Sequence, residues 1–198
     1  MVQKFGFMSF MKNFKKGFTL IESLVTIAIF ILVLGGLFEL VLGGYKAYHY
    51  TFQQAQAVSE SRNGIEIMIK EIREARPGDD GSYIIEKADD YEFIFYSDID
   101  KDGDTERVRY FNDGSDFKKG VIEPSGSPPV YITDPADPDY SEKISILSKY
   151  VRNQSPIFHY FNGDMEELSP PARLKDTKLM RVYLVVNVDP NKPPQDLI

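Results

Sequence analysis

The sequence predicts an α+β protein in which a long N-terminal helix packs on an antiparallel β-sheet. Three observations predict it. From Phe18 to Ala75 the chain reads as helix, first uniformly apolar and then with apolar residues at i, i+3, i+4 and i+7. Pro77-Gly78 stops that pattern. Beyond it the period changes from helical to alternating.

Residues 1–17 form a basic leader that contains Lys4, Lys12, Lys15 and Lys16 and no acids. Met8 and Met11 are alternative starts, and Met11 would leave a short leader ending at Gly17. Residues 18–44 carry only two charges, Glu22 and Glu39. The uncharged core Ser23–Phe38 sits in a span long enough for a bilayer at ~1.5 Å per residue. Lysines on its N-terminal side predict a cytoplasmic leader, with everything after residue 45 or so outside.

Residues 45–76 continue the helix as an extracytoplasmic, amphipathic half. Tyr45, Tyr48, Phe52 and Ala55 fall on one face, and Ile65, Met68, Ile69 and Ile72 repeat the helical spacing. A single helix over Phe18–Ala75 would be roughly 85–90 Å long, although Asn63-Gly64 leaves two segments open. Residues 77–198 form a β-rich globular domain. Its expected strands are Tyr83–Glu86, Tyr91–Tyr96, Arg107–Phe111, Ile144–Val151, Ile157–Phe161 and Leu179–Val188. The last places Met180, Val182, Leu184, Val186 and Val188 on one face. Asn162-Gly163 reads as a hairpin turn. Five prolines make residues 120–140 a long loop that joins no central strand. Pro190–Ile198 is a proline-rich closing segment.

Charge and composition narrow the function. The chain has a net charge of −7, and loss of the leader's four lysines takes it to −11. An acidic surface argues against direct nucleic-acid binding, which needs a basic one. With no cysteine, disulfides, thiol chemistry and Cys-ligated zinc are excluded. A domain outside the cytoplasm must then hold itself together by other means, a metal clip among them.

The segment Lys15-Lys16-Gly17-Phe18-Thr19-Leu20-Ile21-Glu22, followed at once by an apolar run, carries the sharpest functional signal. A secretory signal puts its apolar core before the cleavage site and loses it. Here the only candidate cut follows Gly17 and would leave the apolar helix on the mature chain. This string resembles the N-terminal signal of the type IV pilin and pseudopilin family. The resemblance implies that a prepilin peptidase cuts between Gly17 and Phe18 and methylates the Phe18 nitrogen. It also implies that the Glu22 carboxylate pairs with the N-terminal amine of a neighbouring subunit and sets filament register. Dipole compensation at the helix start is the competing account of Glu22, and an uncut membrane anchor is the competing account of the whole segment. Gly35-Gly36 and Gly43-Gly44 read either as close packing or, within the family, as a zone that unwinds when subunits leave the membrane. The long Pro-rich insertion and the chain length resemble the J-type minor pseudopilins.

One other cluster carries chemistry. Asp98, Asp100, Asp102, Asp104 and Glu106 alternate around Gly103, as in loops that gather oxygen ligands for calcium. The twelfth position is Arg109, where an EF-hand needs a bidentate Glu. Two readings stand: a solvated Asp-Gly turn, or a calcium site of weak extracellular affinity, ~10⁻⁴ to 10⁻³ M. No other cofactor is expected.

No enzyme is expected. The only histidines are His49, among stalk aromatics, and His159, in an expected strand. No Ser-His-Asp spacing, zinc pair or phosphate loop accompanies them. Three functions remain: a structural subunit of a pilus-like filament or secretion pseudopilus, a membrane-anchored extracellular binding module, and a DNA-uptake filament subunit. The resemblance implies prepilin peptidase and other pilin or pseudopilin subunits as partners, and the apolar span implies the cytoplasmic membrane.

Overall fold

The computed structural model describes residues 17–170, 172–189 and 191. Most of the basic leader, its alternative starts and nearly all of the chain end after Asp189 lie outside the described residues. The fold is α+β, as the change of period predicts. A 54-residue helix, α1 (Leu20–Arg73), is followed by five strands: β1 (Ile85–Ala88), β2 (Glu92–Ser97), β3 (Glu106–Asp113), β4 (Asp116–Ile122) and β5 (Lys143–Ser148). They pair antiparallel in the order β1-β2-β3-β4-β5. A smaller antiparallel pair joins β6 (Phe158–Phe161) to β7 (Leu179–Val182), with a one-turn helix α2 (Arg173–Asp176) between them.

The chain divides into two compact units, 1–48 and 49–198. In the first, the described residues are the entry and first part of α1. Its side chains are exposed all round, Leu20 to Leu42 included.

In the second unit, α1 buries Gln54, Ala57, Ser61, Gly64 and Met68. The alternating spacing of three and four keeps one stripe facing the sheet. This stripe is the expected one only in part: Met68 lies in it as predicted. Phe52 and Ile69 are exposed, as are Tyr45 and Tyr48 of the first unit, while Ile65 and Ile72 flank the core. Small residues face the sheet because the backbones come close: a Cβ on Gly64 would lie 2.9 Å from the Leu147 Cβ. Asn63-Gly64 is therefore a contact point within one continuous helix.

The core is aromatic. Phe93, Phe95, Tyr110, Phe117, Phe158 and Tyr160 are all buried, and Phe95 stacks on Tyr110 with centroids 6.1 Å apart. Glu71 of α1 reaches into this layer. Its Oε2 accepts the Tyr110 hydroxyl at 2.5 Å and its Oε1 accepts the Lys119 ammonium at 2.5 Å. Burial, and then the Glu71 carboxylate, pushes the Tyr110 hydroxyl pKa up and keeps it a donor. The outer face of the sheet is also covered. There Arg107 forks onto Glu86, and Arg109 forks onto Glu142 at 2.8 and 2.7 Å. A sheet covered on both faces explains why β2 is buried along almost its whole length.

Three expectations are corrected. Strand β4 was not anticipated, and it takes residues 120–122 out of the Pro-rich loop. The expected strand Leu179–Val188 is strand only to Val182, although Leu184 and Val186 do face the core. From there an isolated bridge to Val151 and side chains hold the backbone: Asn153 bonds the Tyr183 carbonyl and the Val185 amide. The buried Gln54 bonds the Val186 carbonyl and the Val188 amide at 2.7 and 3.0 Å. Strand β1 also starts two residues late and runs to Ala88, with an irregularity in its pairing with β2 between Ile85 and Lys87.

Two packing predictions follow from this layer. Gly64→Ala should destabilise the full chain by about 1–3 kcal/mol through overpacking, partly offset by alanine's helix preference of ~1 kcal/mol. Gly43→Ala, with nothing within 4 Å, should not destabilise it; thermal melting in non-ionic detergent compares the two. Glu71→Leu strands a buried ammonium and should cost about 3–5 kcal/mol. Glu71→Leu/Lys119→Met should recover most of that loss, and equal damage from single and double variants would contradict the pairing.

Candidate functional site

Two places in the structure carry chemistry: the entry to α1 and the acidic loop between β2 and β3. At the entry, Gly17, Phe18 and Thr19 are exposed and non-helical, and the helix begins at Leu20. The first turn is closed by a reciprocal pair. The Glu22 amide donates to Thr19 Oγ1 at 3.3 Å, while the Thr19 amide and hydroxyl donate to Glu22 Oε2 at 2.9 and 2.8 Å. This is a capping box, in which a Thr and a Glu three residues on satisfy each other's free amides. Ser23 and Thr26 tighten the same turn by donating their hydroxyls to the Thr19 and Glu22 carbonyls.

Thr19 is therefore the N-cap that ends the helix, and Glu22, three residues on, completes the box. The cap keeps the Gly17–Phe18 bond outside the helix, in exposed irregular backbone of the kind proteases cut. Thr19 was not singled out from sequence, although a Thr-x-x-Glu string ahead of an apolar run is its signature. Beyond the cap, α1 holds a window long and apolar enough to cross a membrane.

The acidic loop is fastened on three sides. Arg76, just past the end of α1, donates to Thr105 Oγ1 and to the Gly103 and Asp104 carbonyls, and its Nη1 lies 3.3 Å from Asp98 Oδ2. Asp79 accepts the Thr105 amide, and Tyr131 from the Pro-rich loop donates to the Thr105 carbonyl at 2.5 Å. Inside the loop, Asp98, Asp100 and Asp102 each spend Oδ1 on a backbone amide two or three residues ahead. Gly103 holds φ at +108°, which suits glycine alone.

One carboxylate oxygen from each of Asp98, Asp100, Asp102 and Glu106 lies within 4.8 Å of the others. Asp104 is not in this group; its carbonyl goes to Arg76. Glu106 lies at the start of β3 and is fully buried. Its Oε2 accepts the Ile99 amide at 2.7 Å, and its Oε1 is buried with no hydrogen-bond partner. Burial pushes its carboxyl pKa up to about 7, the Ile99 amide opposes that rise, and Glu123, Asp100 and Asp102 add to it. Arg109, at the twelfth loop position, faces away on the outer side of the sheet and is spent on Glu142 and Glu92.

A family model described as the prokaryotic N-terminal methylation motif matches residues 12–38. That match takes in Gly17, Phe18, the capping box and most of the apolar window. It supports a type IV pilin-like or pseudopilin subunit, and it implies processing by prepilin peptidase and assembly with other pilin subunits. No curated protein and no solved structure matches the chain.

The capping box makes a local prediction. Thr19→Val keeps the side-chain shape and removes the hydroxyl. Loss of a cap of about 1 kcal/mol should speed hydrogen exchange of the first-turn amides about fivefold in nanodiscs, with amides past Leu32 unchanged. Uniform exchange in both proteins would show that Thr19 does not cap the helix.

Proposed function

We propose that this chain is a structural subunit of a type IV pilus-like filament or secretion pseudopilus. It is cut between Gly17 and Phe18, methylated on the Phe18 nitrogen and assembled through α1. One observation carries the reading: a methylation motif whose cut bond lies in exposed, non-helical backbone, directly ahead of a capped apolar helix. Cleavage there keeps the membrane-spanning part on the mature protein. The lysines of the leader favour a cytoplasmic N-terminus and a globular unit outside.

Glu22 then has two roles that use different atoms. Both bonds from Thr19 fall on Oε2. Oε1 accepts none among the described residues, so it is the atom that meets the amine of a neighbouring subunit. A carboxylate in an apolar segment is costly, and such residues are normally paired.

The finer reading is a minor pseudopilin similar to the J type, supported by the Pro-rich insertion between β4 and β5. The acidic charge of the processed chain, −11, favours a secretion filament over one that touches DNA.

Intact-mass analysis of membrane-extracted protein should find a chain that begins at N-methyl-Phe18. Gly17→Val should block the cut and leave insertion unchanged, because the apolar span is intact. Glu22→Ala should insert normally and fail to co-assemble with other subunits. A full-length chain as the sole species in cells with active prepilin peptidase would sink the reading. Normal co-assembly of Glu22→Ala would remove Glu22 from it.

A further inference from the structure

We propose that the β2–β3 loop is a calcium site whose protein ligands are the carboxylates of Asp98, Asp100, Asp102 and Glu106. Alternating acids on a surface turn do not by themselves make a metal site. Here the second observation is Glu106, a fully buried side chain in the same cluster. One of its oxygens is held by the Ile99 amide, and the other is shut off from water with no partner. A buried polar atom left unpaired carries the full cost of its desolvation. A cation among the four carboxylates that this oxygen also ligates would remove that cost.

The donor set selects the ion. Four carboxylates and no nitrogen or sulfur ligand suit a hard cation. Carboxylates gathered from a turn and a strand end fit calcium, which accepts six to eight ligands in loose geometry, better than magnesium, which demands a tight octahedron. Asp98, Asp100, Asp102 and Gly103 occupy the first, third, fifth and sixth positions of an EF-hand-like loop. Arg109 at the twelfth position supplies no ligand, and Glu106 at the ninth closes the site from the floor of the sheet instead. Asp98, Asp100 and Asp102 each spend one oxygen on the turn, which pre-forms the loop. Arg76 offsets part of the charge from the rim through Asp98.

Binding has a structural consequence. The loop is tied to the end of α1 through Arg76, to the following turn through Asp79, and to the Pro-rich loop through Tyr131. An ion that holds the loop holds all three, in a chain that has no disulfide.

The test uses the full chain in non-ionic detergent, with equilibrium dialysis against calcium or magnesium chloride and parallel thermal melts. We expect one calcium per chain with Kd of about 10⁻⁴ to 10⁻³ M, weaker magnesium binding, and a melting temperature that rises with calcium. Asp100→Asn/Asp102→Asn changes two exposed side chains and should weaken binding at least tenfold without loss of fold. Glu106→Gln keeps an acceptor for the Ile99 amide. It should melt higher than the wild type in chelator and gain nothing from calcium. No saturable binding up to 10 mM, or unchanged affinity in the Asp double variant, would overturn the site. Magnesium binding as tight as calcium would overturn the choice of ion. A Glu106→Gln variant with wild-type calcium affinity would remove Glu106 as the closing ligand.

Discussion

The globular unit is organised by how closely α1 can approach the sheet. Backbone meets backbone at Gly64 and Leu147, with no room for a side chain on the helix. Ala57 and Ser61 continue the same small-residue seam, and Ser61 meets Ser148 Oγ at 2.6 Å. Close approach lets Glu71 reach both Tyr110 and Lys119 and brings Met68 onto the aromatic layer. A larger residue at Gly64 would push the helix outward and lengthen all of these contacts together. Cores are packed too densely to absorb such a shift locally.

Polar groups in this interface act as fixed points. Gln54 does for the segment 186–188 what a neighbouring strand would do, by pairing one carbonyl and one amide. Glu71 neutralises a lysine that the register of β4 against β3 forces onto the inner face, opposite Tyr110. Each is expensive to bury alone and acceptable when fully paired. Together they specify where the helix stops along the sheet, which apolar contacts alone would leave free to slide.

These compensations also explain which parts were legible in the sequence. The helix and four of the five sheet strands follow from period alone, although the helix ends at Arg73, short of Pro77-Gly78, where Ala75 and Arg76 already pair with β2. Strand β4 does not: Phe117-Lys118-Lys119-Gly120 puts a lysine toward the core and a glycine mid-strand. The lysine is allowed by Glu71, and the glycine by Glu142, which fills the place where a Cβ would sit. Both partners are remote in sequence, although the Asp113-Gly114 turn ahead of β4 was a readable hairpin signal. On the stalk, Met68, Ile65 and Ile72 reach the core as their spacing predicts, while Phe52 stays exposed because small residues take the face where backbones touch. At the helix entry the motif was plain, while Thr19 went unnoticed beside Glu22. In the acidic loop the ligand types were plain, but the burial of Glu106 depends on the sheet it starts.

The two ends of α1 pose opposite electrostatic problems. At its N-terminus free amides and the positive end of the helix dipole favour an anion. The capping box provides Glu22 there, within an apolar segment where few groups could replace it. At the C-terminus free carbonyls favour a cation, and Lys70 and Arg73 lie in the last turn, with Arg76 just beyond. The fold nevertheless docks a loop of acids against Arg76. Carboxylates beside the negative end of a helix repel it as well as one another, and one guanidinium does not balance four of them. The acidic loop thus sets local charge against the fold beside the end of α1, and a bound divalent cation would reverse the sign of that opposition.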